Sequence, residues 1–130
     1  MGDLRNNFWN WEFWSPDVNL HEMQDGHLDL LQEARTEAGV VFPVNSGWRT
    51  IPHHNAIYEE LGITPAPPSA HPEGWASDIG TGTSYRTYHI VKACLKVGFP
   101  RIIVYNTFIH VDNHPERKRF PQPMFKRGRW

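Results

Sequence analysis

Residues 101–112, RIIVYNTFIHVD, are the stretch of this sequence that decides its fold. Their composition predicts two adjacent strands, Arg101–Tyr105 and Thr107–Asp112, joined by a short turn. The second strand alternates in polarity, so that His110 and Asp112 share one face and apolar residues occupy the other. A strand in a core does not normally line up two ionisable groups on one side. That face is therefore expected to border a site.

Helical and strand patterns precede this segment. Apolar residues recur at three- and four-residue steps in the first third of the chain, and residues suited to helix caps lie before each helical stretch. Helices that alternate with short adjacent strands indicate an α+β domain with a small, mainly antiparallel sheet and flanking helices. In chain order, the predicted elements are a helix from Ser15–Pro16 to Ala38 before Gly39, a strand at Val40–Val44, a helix at Pro52–Leu61 capped by Thr50, a strand at Trp75–Ile79, and a helix from Thr83 or Ser84 to Val97 before Gly98.

Length and composition limit the possible classes of protein. The 130 residues fit a single domain over 1–130, and a hydrophobic content of 39% is enough for a compact core. A single cysteine, Cys94, excludes an internal disulfide framework and a cysteine-rich zinc finger, and it is expected to be a small buried hydrophobe. No apolar run approaches the roughly 20 residues that cross a bilayer. Residues Met1–Asn10 also lack the apolar core of a signal peptide, so neither a membrane partner nor export is expected.

The two ends of the chain differ from its body. An aromatic N-terminal arm, residues 1–16, contains FWNWEFW at Phe8–Trp14, whose tryptophans are expected to pack in the core or in an interface. Residues 1–112 carry 7 Lys/Arg and 13 Asp/Glu, whereas residues 113–130 carry 6 Lys/Arg and one Glu and form a basic C-terminal tail. A nucleic-acid module usually shows its basic excess over the whole domain, so no nucleic-acid partner is expected. A solvated tail and a tail that contacts a partner chain both remain open.

One sequence pattern indicates a metal site. Residues 69–79 read SAHPEGWASDI, and His110 follows 32 residues after Asp78. An open mononuclear zinc site needs three protein ligands of nitrogen or oxygen type and a fourth position left for water. His71, Asp78 and His110 meet that need.

These motifs resemble a known family. The pattern SxHxxGxAxDI with a distant HVD is similar to the zinc peptidases that include D-Ala-D-Ala carboxypeptidases, L-alanyl-D-glutamate endolysins and the Hedgehog signalling domain. The match is closest to small phage and bacterial carboxypeptidase-like members, which share SGWRT at 46–50 and a following His54-Asn55, and whose frequent C-terminal Arg-x-Trp is similar to the adjacent Arg129-Trp130 here. The resemblance implies a Hedgehog-like peptidase fold and Zn²⁺ held by His71, Asp78 and His110.

The resemblance also implies roles for residues around the metal. Arg49 matches the arginine that holds the substrate carbonyl or carboxylate and stabilises the tetrahedral intermediate. Ser46, Asn55 and Ser69 are candidates for substrate binding, the alternative being that they hold their loops by backbone hydrogen bonds. Relatives usually place a carboxylate base three residues before the third ligand, where this chain has Thr107. Candidates to replace it are Asp112, Glu73, His54 and His114, and Asp112 is equally suited to orienting a ligating histidine.

Two functions follow from these features as expectations. The first is a phage-encoded zinc peptidase that hydrolyses peptide bonds in peptidoglycan stem peptides, reaching the wall from lysed host cells or as part of a virion. The second is a structural or binding component of a phage particle that retains the peptidase fold with a weak or inactive site. In that case the N-terminal arm and the C-terminal tail would contact other particle subunits.

Overall fold

A five-stranded sheet organises the molecule. The computed structural model describes residues 1–116 and the backbone of 125–127. The strands lie in the order β1-β2-β4-β3-β5, and every pairing is antiparallel except that of β3 with β5. This confirms an α+β domain with a small, mainly antiparallel sheet. The strands are β1 (Val44–Ser46), β2 (Ala76–Gly80), β3 (Arg101–Val104), β4 (Phe108–Asp112) and β5 (Phe125–Arg127).

Strand register brings distant residues together. Strands β2 and β4 pair from Ala76 opposite Asp112 to Gly80 opposite Phe108, which places Asp78 directly opposite His110. Residues directly opposite one another in an antiparallel pair have Cβ atoms about 4.5–5.5 Å apart. Two predicted metal ligands that are 32 residues apart in sequence are therefore neighbours on one face of the sheet.

Three α-helices lie in residues 1–116: α1 (Asp25–Ala38), α2 (Ile51–Glu60) and α3 (Ser84–Val97). Helices α1 and α3 pack against each other, and their apolar sides join the sheet in one core. None of the helices in residues 1–116 is both long and apolar enough to cross a membrane. The buried apolar core includes Leu28, Leu31, Ile79, Ile90, Cys94, Ile102, Ile109 and Val111.

The local signals at α2 and α3 are confirmed. The hydroxyl of Thr50 accepts a hydrogen bond from the backbone N–H of His53, and that of Thr83 accepts one from Arg86. Each cap satisfies a backbone donor that would otherwise lack a partner in the first turn. Helix α3 ends at Gly98, whose φ of 96° favours glycine.

The predicted start of the first helix is wrong by nine residues. Helix α1 begins at Asp25 rather than at Pro16. Ser15 does not cap it, because the Ser15 backbone pairs with Leu20 and its hydroxyl donates to Asp17. Asn19 reverses the chain with a φ of 53°, which no α-helix accommodates. The apolar residues of this segment lie in a turn, so their spacing was a poor guide to the helix start.

The predicted strand at Val40–Val44 is also misplaced. The strand begins where that prediction ends, at Val44, and continues to Ser46. Pro43 has no N–H to donate to a ladder, but its carbonyl accepts from Gly80 N at 2.8 Å. The β-branched residues before Pro43 therefore lie outside the sheet.

The aromatic side chains of the N-terminal arm differ in burial. Phe8 and Phe13 are buried in the core, whereas Trp9, Trp11 and Trp14 are 42–61% exposed. Of the two predicted placements of these tryptophans, the core is wrong, because the phenylalanines fill that space, and packing in an interface stays a prediction. A Cβ on Gly47 would lie 2.7 Å from Phe13 Cα, and Trp48 N donates to Phe13 O at 3.0 Å. Only glycine permits this close contact between the arm and the body.

The start of the C-terminal segment belongs to the body. Asn113 hydrogen-bonds His27 of α1, and His114 is buried against Trp75. The backbone of β5 extends the sheet beyond β3, an element that the sequence analysis did not predict. The rest of the predicted basic tail, 117–124 and 128–130, lies outside the described residues, and so do Arg129 and Trp130.

Candidate metal centre

Three side chains converge on one face of the sheet, where β2 pairs with β4. His71, Asp78 and His110 each offer one ligand atom, and these atoms all lie within 4.8 Å of one another. Asp78 Oδ1 is 3.2 Å from His71 Nε2 and 3.0 Å from His110 Nδ1. All three residues are almost completely buried. The structure thus brings together the three ligands that the motif implies.

Local backbone structure positions His71. It begins a short 3-10 turn, His71–Glu73, that ends at Gly74 in the left-handed region, with a φ of 79°. The Ser69 hydroxyl accepts the His71 backbone N–H at 3.1 Å. The turn and this hydrogen bond hold the loop that precedes β2 against the sheet.

Hydrogen bonds fix which imidazole nitrogens face the centre. His71 Nδ1–H donates to the Gly47 carbonyl at 2.7 Å, and His110 Nε2–H donates to Asp112 Oδ2 at 2.6 Å. In neutral imidazoles, the lone pairs then lie on His71 Nε2 and His110 Nδ1, both directed at Asp78 Oδ1. Three lone-pair atoms this close repel one another unless a cation or a proton lies among them. Two imidazole nitrogens and one carboxylate oxygen form a donor set that could hold a metal ion.

Protonation follows from burial and from these contacts. Burial lowers the pKa of His71 below its usual value, although Asp78 opposes the effect. Burial would raise the pKa of Asp78, but His71 and His110 more than offset it and lower that pKa well below the ordinary range. For His110, burial lowers the pKa, while hydrogen bonds to Asp112 and Asp78 outweigh burial and raise it. Where the pH is low enough for His110 to carry a proton, a metal ion must displace that proton to bind, so that metal affinity falls in acid.

Arg49 reaches the same centre. Its Nη2 donates to Asp78 Oδ2 at 3.1 Å, its Nε to Ser46 Oγ at 3.1 Å, and its Nη1 to His54 Nδ1 at 3.3 Å. His54 Nε2 in turn donates to the Pro67 carbonyl at 3.0 Å, which orients the His54 ring. Ser46 and His54 therefore hold the guanidinium beside the carboxylate of Asp78, a role that the spacing of SGWRT alone does not reveal.

Asp112 lies behind His110 and has no exposed surface. Besides accepting from His110, its Oδ2 lies 3.4 Å from Arg101 Nη1. A fully buried carboxylate cannot touch substrate or solvent at the metal. Of the two roles open to Asp112, the geometry favours orienting His110 over serving as a base.

The other candidate bases lie away from the centre or are already engaged. His54 Nδ1 accepts from Arg49, and Glu73 Oε1 pairs with His114 Nε2 at 3.1 Å. Thr107 is exposed and carries no carboxylate. Among residues 1–116, no carboxylate other than that of Asp78 lines the cleft at the metal centre. None of the four candidate replacements, Asp112, Glu73, His54 and His114, is among the residues that line this cleft.

A cleft of about 330 Å³ opens onto the centre. Ser69 lines this cleft, whereas Asn55 is exposed on α2 and is not among its lining residues. Three residues that no sequence motif indicated, Tyr58, Tyr105 and Arg101, also line the cleft. Burial raises the pKa of both tyrosines, so they remain protonated at neutral pH. Their separation from the motif along the chain left no local signal of a role.

The chain was compared with models of protein families, with curated proteins and with solved structures, and none of the three comparisons finds a match.

Proposed function

We propose that this chain is a zinc-dependent peptidase that hydrolyses peptide bonds in peptidoglycan stem peptides, and that it is encoded by a phage. The observation that carries the proposal is the convergence of His71, Asp78 and His110 at a cleft that also holds Arg49. The motifs around these residues resemble those of D-Ala-D-Ala carboxypeptidases and endolysins. We further propose the Hedgehog-like peptidase fold that the resemblance implies.

The donor set suits Zn²⁺ among the common metals. Two imidazoles and one carboxylate are ligands that zinc takes in catalytic sites, with a further position left open. Mg²⁺ and Ca²⁺ prefer oxygen ligands, and of the three residues only Asp78 offers oxygen. Bound zinc would polarise a peptide carbonyl and lower the pKa of water toward about 7.

Arg49 is placed to stabilise negative charge. Its guanidinium is permanently charged and lies beside the carboxylate of Asp78. A donor held in advance where an oxyanion develops is typically worth about 3 kcal/mol of barrier. The hydrogen bonds from Ser46 and His54 reduce the reorganisation that Arg49 would need when substrate binds.

The cleft offers donors for a peptide backbone. Protonated Tyr58 and Tyr105 provide phenolic O–H groups, and Ile57 and Phe108 provide apolar surface. A cleft of about 330 Å³ is near the lower end of ligand pockets, which usually measure about 300–1,000 Å³. It therefore has room for a short peptide segment.

A second candidate function is favoured by the missing base. Thr107 stands where relatives have a carboxylate, and the four substitutes are buried or engaged elsewhere. A general base is typically worth about 10²–10⁴-fold in rate. A chain with this site would serve as a structural or binding component of a phage particle, with weak or no turnover.

One experiment separates the two functions. Purified protein is analysed for metal by elemental analysis, and the same sample is incubated with peptidoglycan. The peptidase proposal predicts about one zinc per chain and release of peptides or D-alanine, both lost in His110→Ala. The matched control is His89→Ala, because His89 lies on α3 outside the cleft and contacts Tyr85 and Tyr88.

Each result of this experiment supports or rejects one of the proposed functions. Zinc without turnover rejects the peptidase and supports the particle component, which should then cofractionate with assembled particles in many copies. Absence of zinc binding rejects the metal centre itself. Equal turnover in His110→Ala and the parent chain would assign the activity to another site.

A further inference from the structure

A second cavity, separate from the metal centre, lies on the other side of the His71–Glu73 turn. It has a volume of about 280 Å³, and it shares no lining residue with the metal cleft. We call it the tryptophan pocket. Its lining residues are Glu22, Gln24, Trp48, Pro72, Glu73 and Trp75.

Two backbone segments cross to form the tryptophan pocket. Gln24 N donates to the Gly74 carbonyl at 3.0 Å, and Gln24 Nε2 donates to the Glu73 carbonyl at 3.3 Å. A Cβ on Gly74 would lie 2.2 Å from the Glu22 carbonyl oxygen, which only glycine avoids. The close crossing brings Glu22 and Glu73 into the lining of one pocket, although 51 positions separate them in sequence.

Both indole rings are held in place by their own contacts. Trp48 Nε1 donates to the Pro72 carbonyl at 2.9 Å, which uses its one polar hydrogen. A Cβ on Gly26 would lie 3.1 Å from the Trp75 ring, and His114 contacts that ring edge-on. Both rings line the pocket, and these contacts hold them in place.

The charge of the pocket is negative. Two carboxylates, those of Glu22 and Glu73, line it, and no lysine or arginine does so among residues 1–116. Glu73 accepts a hydrogen bond from His114 Nε2, and Glu22 supplies a second negative charge. An indole face attracts cations more strongly than any other aromatic side chain. Carboxylate and indole together select a cation with apolar surface.

We propose that the tryptophan pocket binds an organic ammonium group that lies against Trp48 and Trp75 and pairs with Glu22. The assignment is independent of the proposed peptidase, because none of these side chains lines the metal cleft. A quaternary ammonium and the primary ammonium of a lysine-like side chain share the required chemistry.

The test uses the full chain and three probes. Choline, its neutral isostere 3,3-dimethyl-1-butanol, and methylammonium are titrated while the indole N–H resonances are followed by NMR. Choline should shift the Trp75 resonance, which is identified by its loss in Trp75→Leu. The neutral isostere should bind at least about tenfold more weakly, because it lacks the attraction of a cation to the rings and to Glu22. Comparing choline with methylammonium distinguishes a quaternary from a primary ligand.

Matched variants locate the site. Glu22→Gln should raise the Kd for choline about threefold, the effect of removing one partly screened charge. Trp75→Leu should raise it more than about fivefold. Glu33→Gln makes the same charge change on the exposed side of α1 and should leave the Kd unchanged. Zinc binding and turnover of Glu22→Gln should equal those of the parent chain.

Three outcomes would overturn the proposal. One is equal affinity for choline and its neutral isostere, and another is an equal loss in Glu22→Gln and Glu33→Gln. The third is binding of a neutral sugar such as glucose at this pocket with no binding of either ammonium probe. None of these outcomes alters the case for the peptidase, and loss of the peptidase leaves the ammonium site intact.

Discussion

Protonation of His27 should destabilise the folded chain. This residue of α1 has no exposed surface and lies between two polar partners at 2.7 Å, Ser77 Oγ and Asn113 Oδ1. The Asn113 oxygen can only accept, so His27 Nδ1 donates to it and Nε2 accepts the Ser77 hydroxyl. This pair of bonds suits the neutral imidazole. Burial lowers the pKa of His27 from 6.5 to about 4.

The pKa shift of His27 sets the sign and the size of the change in the free energy of unfolding with pH. Between the two values the unfolded chain binds a proton at His27 and the folded chain does not, so the free energy of unfolding rises with pH there. The contribution is fully present above pH 6.5 and is lost as the pH falls toward about 4. At 1.36 kcal/mol for each pKa unit, the loss over this range is about 3 kcal/mol.

Urea unfolding of metal-free protein at a series of pH values from 4 to 8 measures this effect. His27→Gln keeps a donor and an acceptor but cannot titrate, so its unfolding free energy should fall by about 3 kcal/mol less than that of the parent chain. The glutamine places its polar groups differently, which should cost about 1–3 kcal/mol at pH 8. His89→Gln removes a histidine from α3 that is not fully buried and should track the parent chain. Parallel pH profiles for His27→Gln and the parent would refute the reasoning.

Two further predictions concern the metal centre. Asp112→Asn should lower zinc affinity about 10–100-fold, measured by competition with a chelating dye, because His110 loses the carboxylate that orients it; an unchanged affinity would contradict that role. Arg49→Lys should lower kcat/KM for peptide hydrolysis about 100-fold while elemental analysis finds the same zinc content, because an ammonium cannot reproduce the three directed hydrogen bonds of the guanidinium. Loss of zinc in this variant would instead assign Arg49 to holding Asp78.

Local sequence signals predicted the elements that depend on local contacts. Thr83 and Gly98 mark the start and the end of α3, because each acts on backbone groups within one turn. The start of α1 was not predictable in this way. Asn19 reverses the chain so that Ser15 pairs with Leu20, and apolar spacing carries no information about such a reversal.

The same distinction between local and long-range contacts applies to the candidate site. The motif named His71, Asp78 and His110, because each sits in a recognisable local pattern. The sequence could not give the contact of Arg49 with His54, or the burial of Asp112 behind His110, because both depend on packing between elements. The tryptophan pocket is the clearest case, since it forms only where residues 22–24 cross residues 73–75.

The contact between Phe13 and Gly47 links the first residues of the chain to the chemistry of the cleft. The Gly47 carbonyl orients His71, and the neighbouring Trp48 N–H is anchored on Phe13. Displacement of Phe13 would therefore also displace the backbone that orients His71, one of the three side chains that could hold a metal ion.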